Sequence, residues 1–401
     1  MAKRKIQKPT RFERMYKVWD YLRKNTDRRH PTSIAKMRKD ENINAYIGDK
    51  ETINRLLKDM ANIMNLEDGG SDYKPEAEWR LYFDDFKKFY GDKERYERDD
   101  SDEDDSYIAN VMRIKNLYYN RTFSEKEVDS IIEGIMATRT LDSKSAQELV
   151  RKVEDNMTTA FYKRTPRHIC KVQEPELADR ELLKDNLAII QKAIDDNVRI
   201  QFRFNGYSYE KKLEPVRAEM DELSPYYIVA SGGKYYLLAA KEYEDYKPDM
   251  SIWRIDLMTD IEIPGRNDRL HIKGIPRIPK KNVSNLPEKW SEDFQLKHLN
   301  MSFDKPVPVT LRIKSEKCED NPKKRVRPGY TFLHDWFGDS FTYIRTEKEP
   351  PYDDIVRVEC SPYGMAHWAL QYSELVEILE PESLREDIKS KIKALNEKYS
   401  L

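Results

Sequence analysis

The chain has 401 residues, of which 38% are hydrophobic and 36% charged, with a formal net charge of −1. That length suits two to four domains of ordinary size, and the balance excludes a uniformly basic nucleic-acid coat. Three widely spaced cysteines (Cys170, Cys318, Cys360) give no disulfide framework, and no window approaches the apolar run of a membrane span. The basic start Met1-Ala2-Lys3-Arg4-Lys5 has no apolar stretch behind it, so no signal peptide is expected and the location is taken as cytoplasmic.

Residues 1–90 read as a winged helix-turn-helix. Met15, Val18, Trp19 and Leu22 fall at helical spacing. Thr32 or Ser33 then caps a short helix with Ile34 and Met37, and Asp49 caps a third. In that third helix Ile53, Leu56, Leu57 and Met60 point inward, leaving Lys50, Glu51, Thr52, Asn54, Arg55 and Lys58 for the outer face. Arg and Asn suit guanine and adenine edges and Lys suits phosphate, so Lys50, Thr52, Asn54, Arg55 and Lys58 are the candidate DNA contacts. Gly69-Gly70 with Trp79, Leu81 and Phe83 supplies a wing hairpin. From Met1 to Met64 there are 17 Lys plus Arg against 8 Asp plus Glu, a local balance of +9. A three-helix bundle that docks a protein would share the apolar spacing.

Residues 91–178 hold an acidic segment and a helical connector. Asp92 to Asp105 carries nine acidic and three basic residues, a balance of −6, and is read as solvated. Ser124 with Glu127 has the form of a capping box before Val128, Ile131, Ile132, Ile135 and Met136. Ser143 to Phe161 reads as a second helix, and Lys163 to Glu176, with Pro166 and Pro175, as a linker.

Residues 179–264 change period. After a helix at Asp179 to Asn197, Val198 to Phe204 alternates as a strand, and Asn205-Gly206 reads as a hairpin turn. Further strands are expected at Lys211 to Leu213, Tyr226 to Ala230, Lys234 to Ala240 and Ser251 to Asp256, with a turn at Gly232-Gly233. The spacing implies a small β-barrel or strongly curved sheet. Arg199, Arg203, Lys211, Arg217 and Arg254 are interleaved with Tyr207, Tyr209, Tyr226 and Tyr235. Cations with rings suit phosphates with bases, although tyrosine also favours strands for its own sake.

The runs Pro225-Tyr226-Tyr227-Ile228-Val229, Gly233-Lys234-Tyr235-Tyr236-Leu237-Leu238 and Ile252-Trp253-Arg254-Ile255-Asp256, with Leu213-Glu214-Pro215 before them, resemble the WYL domain of bacterial transcription regulators. Tyr235-Tyr236-Leu237 stands where the family has its naming tripeptide, and Leu257 stands where it often carries a second arginine. The resemblance implies a multidomain α+β chain: winged helix-turn-helix, helical connector, Sm-like or SH3-like barrel, and an α/β extension at 265–401 that contributes to a homodimer. It also implies a nucleotide or single-stranded nucleic acid bound at Arg203, Lys211, Arg217, Tyr226, Tyr235 and Arg254, and a double-stranded DNA operator.

In the last segment Val307 to Ile313, Phe341 to Arg345 and Ile355 to Cys360 alternate as strands, and Leu384, Ile388, Ile392, Leu395 and Tyr399 line a final helix after Pro381. Lys323-Lys324-Arg325-Val326-Arg327 is read as a solvated basic loop. No phosphate loop, nucleophile elbow or zinc ligand set occurs, so neither an enzyme nor a cofactor is expected. The expected function is a ligand-responsive DNA-binding regulator. The competing reading is a nucleic-acid-binding accessory protein of a CRISPR or phage-defence system.

Overall fold

A computed structural model describes residues 9–67, 72–86, 114–138, 141–164, 180–243, 245–314, 317–318, 321–325 and 329–399. The chain forms two compact units, Met1–Glu176 and Leu177–Leu401. The acidic run, the expected wing tip at Gly69-Gly70 and the proline linker lie outside the described residues.

In the first unit, α1 (Arg11–Asn25) starts at a capping box between Thr10 and Glu13. Ser33 caps α2 (Ile34–Lys39), α3 is a single turn (Asn44–Ile47), and Asp49 caps α4 (Lys50–Asn65). Val18, Leu22, Met37, Ile53, Leu57 and Met60 make one core with Trp79, Leu81 and Phe83. Strand β1 (Leu81–Tyr82) pairs antiparallel with β2 (Tyr118–Tyr119), and Leu117 bridges to Thr32. Trp79, Leu81 and Phe83 are core residues, the partner of β1 lies beyond the acidic run, and Leu66 bridges antiparallel to Tyr73 on either side of Gly69-Gly70. Ile114 and Leu117, from beyond residue 90, share the same core. Helices α5 (Glu125–Ala137, opened by the Ser124–Glu127 capping box) and α6 (Ser143–Met157) then pack as a hairpin through Val128, Ile132, Val150 and Val153.

In the second unit, α7 (Arg180–Asp196) leads into a curled sheet, a half-barrel. Its strands are β3 (Ile200–Tyr207), β4 (Leu213–Pro215), β5 (Asp221–Ser231), β6 (Lys234–Ala240), β7 (Met250–Arg254) and β8 (Met258–Glu262). Pairing runs β8–β3–β5–β6–β7, with β4 on the far end of β3 and a 3-10 turn (Ile255–Leu257) between β7 and β8. The hairpin expected at Asn205-Gly206 is absent, because β3 runs through both residues. Asn205 is buried, and its Nδ2 donates to the carbonyls of Arg203 and Leu257 and to Thr259 Oγ1 at 3.0–3.1 Å. The chain turns instead at Ser208–Lys212, where Lys211 takes φ +65°. Gly232 and Gly233, both at positive φ, make the β5–β6 turn.

A four-stranded sheet follows, ordered β12–β13–β9–β14, with β9 at Val307–Ile313, β12 at Thr342–Thr346, β13 at Asp354–Cys360 and β14 at Val376–Glu380. A short hairpin, β10 (Lys317–Cys318) and β11 (Asn321–Arg325), follows β9. Helices α9 (Thr331–Phe337) and α10 (Pro362–Gln371) join the strands in split β-α-β order, and α11 (Glu382–Tyr399) closes the chain. Helix α8 (Phe294–Lys297) and the turn after it bridge half-barrel and sheet. Ser361 N donates to Lys297 O at 2.7 Å, and Tyr363 N to Asp304 Oδ2 at 2.9 Å. Among the described residues no helix is long and apolar enough to cross a membrane.

Candidate nucleic-acid interface

The start of α4 presents Lys50, Glu51, Thr52 and Arg55 to solvent. Arg55 Nη2 pairs with Glu51 Oε1 at 2.7 Å, one turn apart, so its charge is half offset. Asn54 and Lys58 are not on this face. Their exposures are 0% and 5%, so neither is open to a base edge or phosphate. An amphipathic helix hides polar side chains wherever a neighbour packs over its flank, and spacing within the helix carries no trace of that. Nearby α2 adds exposed Lys36, Arg38 and Lys39 around buried Met37. Sequence reading passed over these three, although a trio of cations on one short helix was visible. Arg38 is steered toward the α3–α4 turn, Nη2 donating to Gly48 O at 3.2 Å.

On the half-barrel, alternation along β6 decides which tyrosine faces which way. Tyr235, Leu237 and Ala239 turn to the core with Phe202, Ile255 and Met258. Tyr236 and Leu238 turn to the other side, with Ile252, Met250 and Phe294. Arg254 sits directly across from Tyr236, so Tyr236 and not Tyr235 stands opposite it on the same face of the sheet. Tyr226 is also misplaced in the sequence reading. It is 2% exposed, its hydroxyl donates to Ile278 O at 2.7 Å, and Arg277 lies 5.0 Å over its ring.

The cations do not form one open cradle. Arg254 grips Asp256 with Nε and Nη2 at 3.1 and 2.5 Å. Burial works against its charge, but the Asp256 carboxylate outweighs it and lifts the pKa further. Arg203 binds Asp260 at 3.3 Å and the Ala218 carbonyl at 3.0 Å. Arg217 pairs at 3.2 Å with buried Asp221, which also takes Lys241, and lies 5.9 Å over the Trp253 ring. Arg199 is held by Glu222 and Glu242. Lys211 stands exposed on its turn with no ion pair among the described residues. Of the residues expected to share a cradle, Tyr235 is half-buried on the core side of β6, and Arg203 and Arg254 each pair with a carboxylate of their own.

The Arg254–Asp256 pair stands across from Tyr236, with Tyr207 close enough to act on the Arg254 charge. A phosphate there would exchange with Asp256 for the guanidinium, and a base would lie on a tyrosine face.

Residues 305–395 match the WCX domain family. The match spans β9 to most of α11, within the segment that the sequence resemblance assigns to a C-terminal extension. No curated protein gives a match. Among solved structures, the proteasome accessory factor B/C (PafBC) of Arthrobacter aurescens aligns at 15% identity and TM-score 0.23. That alignment covers 87% of this chain and 55% of the other, so the chain spans little more than half its length. A CRISPR Cas-related protein aligns at 13% identity and TM-score 0.30, over 76% of this chain and 75% of the other. Neither TM-score supports an argument about function.

Proposed function

We propose that the chain is a nucleic-acid-binding regulator of the WYL type, a binding protein and not an enzyme. The first unit grips duplex DNA through Lys36, Arg38, Lys39, Lys50, Thr52 and Arg55. The Sm-like half-barrel of the second takes a nucleotide or single-stranded nucleic acid at Arg254 and Tyr236. The observation that carries the reading is the N-terminal layout: helices α1 to α4 on a minimal sheet, with exposed cations on α2 and α4 and a +9 balance. The WCX match at 305–395 supports the WYL-type extension. A homodimer through that extension would set two DNA-binding units on half-sites about one helical turn, roughly 34–36 Å, apart.

The second reading, a defence-system accessory protein that holds nucleic acid without reading it, draws on one observation. Asn54, the side chain that would read an adenine edge from the middle of α4, is buried, as is Lys58, which would meet phosphate. A gel shift separates the two, using the DNA upstream of the protein's own gene and a scrambled duplex at two salt concentrations. A complex selective for the upstream DNA that survives the higher salt supports the regulator. Equal, salt-labile binding to both supports the accessory protein. No duplex binding at all overturns the assignment of the first unit.

A further inference from the structure

Within the first unit Arg121 has no counter-charge among the described residues, and Arg23, whose charge acts on it, shares its carboxylate with Lys24. Arg121 follows β2, where the backbone is tied down on both sides: Tyr119 N donates to buried Thr26 Oγ1 at 3.0 Å, and Asn120 N to Arg80 O at 2.7 Å. Its Nε and Nη2 are shut off from solvent and meet no acceptor. Among the described residues Arg121 makes no ion pair. Burial, then the charge of Arg23, work against its protonated form.

Arg23 comes from the last turn of α1. Its Nη1 donates to Asn156 O on α6 at 3.0 Å, its Nη2 meets Asp20 at 3.3 Å, and its Nε is buried with no acceptor. The guanidinium lies 5.4 Å over the Trp19 ring. Asp27 acts on Arg121 but is already committed. It accepts from the His30 ring at 3.0 Å and from the backbone N–H groups of Arg29 and His30 at 2.8 Å each. Asp20 is shared between Arg23 and Lys24. Arg28 and Arg29, next in sequence after Asp27, are exposed.

A half-buried guanidinium within electrostatic reach of a second one, with unfilled N–H groups on both, is unfavourable as it stands. It becomes favourable when an oxyanion supplies acceptors and negative charge together, and planar N–H forks match phosphate oxygens. We propose that Arg121 and Arg23 form a phosphate-binding site where α1, β2 and the C-terminal turn of α6 meet, filled by a phosphate group of a small phosphorylated ligand or of a nucleic-acid backbone. The site is separate from Arg254 and does not depend on the half-barrel reading. Because Arg23 also holds the α6 carbonyl, phosphate there stiffens the junction between the DNA-binding helices and the α5–α6 hairpin.

The experiment uses the full chain, with inorganic phosphate against chloride at matched ionic strength. Phosphate raises the unfolding temperature of the wild type, and Arg121→Gln weakens the apparent phosphate affinity by about tenfold, as expected for loss of one charged fork. Arg121→Lys, which keeps the charge, retains part of the response. In phosphate-free buffer Arg121→Gln unfolds at the same temperature as the wild type or higher, since it removes an unmatched cation. Duplex titrations then identify the source. If Arg121→Gln also lowers the log–log salt slope by about one, the phosphate belongs to the backbone. An unchanged slope, with the phosphate response lost, assigns a small ligand. Two results overturn the site: a phosphate response that is absent or equal in wild type and Arg121→Gln, or a phosphate-free Arg121→Gln protein clearly less stable than wild type. The latter makes Arg121 a structural cation.

Discussion

Asn186 has no exposed surface, yet its Nδ2 donates to two carbonyls, Ile255 at 3.2 Å and Met258 at 2.8 Å, at either end of the 3-10 turn between β7 and β8. That turn carries Asp256, so the amide also fixes the carboxylate that holds Arg254. Asn186→Ala strands both carbonyls and is expected to cost about 1–3 kcal/mol in urea unfolding of the second unit. A loss within error would mean that the turn holds itself. His298 is a second buried polar group, its Nδ1 bonded to Ser302 O at 2.7 Å and its ring stacked 4.1 Å from Phe294. Burial, first among its influences, pushes its pKa below the ordinary value near 6.5. The folded chain thus resists a proton that the unfolded chain accepts. Stability is complete above about pH 6.5 and falls as pH drops through the lower folded value. Carboxylates with lowered pKa, such as Asp196 beside Lys273, lose their contribution only below about pH 4, a separate window. His298→Gln should flatten the fall in unfolding temperature between pH 7 and 5, and an unchanged slope would clear His298 of the effect. Neither residue was singled out from sequence, since a lone buried Asn or His leaves no spacing to read. Period-two counting separates Tyr235 from Tyr236, but only the register of β6 on β7 shows that Tyr236 is the one opposite Arg254.

At the level of elements, local signals were legible and distant pairings were not. The Ser124–Glu127 capping box, the Asp49 cap and the Gly232-Gly233 turn stand where the residues point to them. Asn205-Gly206 misled because the same dipeptide serves a turn or, as here, a strand whose buried amide stitches β3 to β8. The pairing of Leu81-Tyr82 with Tyr118-Tyr119 crosses a charged insert, and nothing local announces a partner so far along the chain. Two helical glycines show how packing, invisible in helix propensity, reverses a sign. Gly134 on α5 is exposed, and a Cβ there would meet nothing within 4 Å. Gly134→Ala should stabilise by about 0.5–1 kcal/mol through backbone entropy. Gly364 on α10 lies against the turn that links half-barrel to sheet, and its Cβ would fall 2.7 Å from both Leu299 O and Ser302 Oγ. Gly364→Ala should therefore destabilise by roughly 1–3 kcal/mol. Urea midpoints of the two variants should move in opposite directions. Movement in the same direction would show that α10 shifts freely away from the turn.

Across the whole molecule a net charge of −1 hides a strongly divided distribution, with +9 in the first 64 residues and −6 between Asp92 and Asp105. Polyelectrolyte binding depends on the local patch and not on the sum, so duplex affinity should follow the α2 and α4 cations. Each phosphate contact removed lowers the log–log salt slope by about one. Lys39→Gln and Arg55→Gln should each do so, weakening binding to all sequences alike. Glu51→Gln should act the other way, because it releases Arg55 from a 2.7 Å ion pair and removes a carboxylate from the phosphate-facing end of α4. Arg254→Gln, on the other compact unit, should leave affinity and slope for duplex unchanged while abolishing any response to a nucleotide. Fluorescence anisotropy on one duplex over a salt series measures all four. If Glu51→Gln binds no more tightly than the wild type, α4 does not face the phosphates. If Arg254→Gln lowers the slope, the half-barrel is part of the duplex grip, and the division of labour between the two units fails.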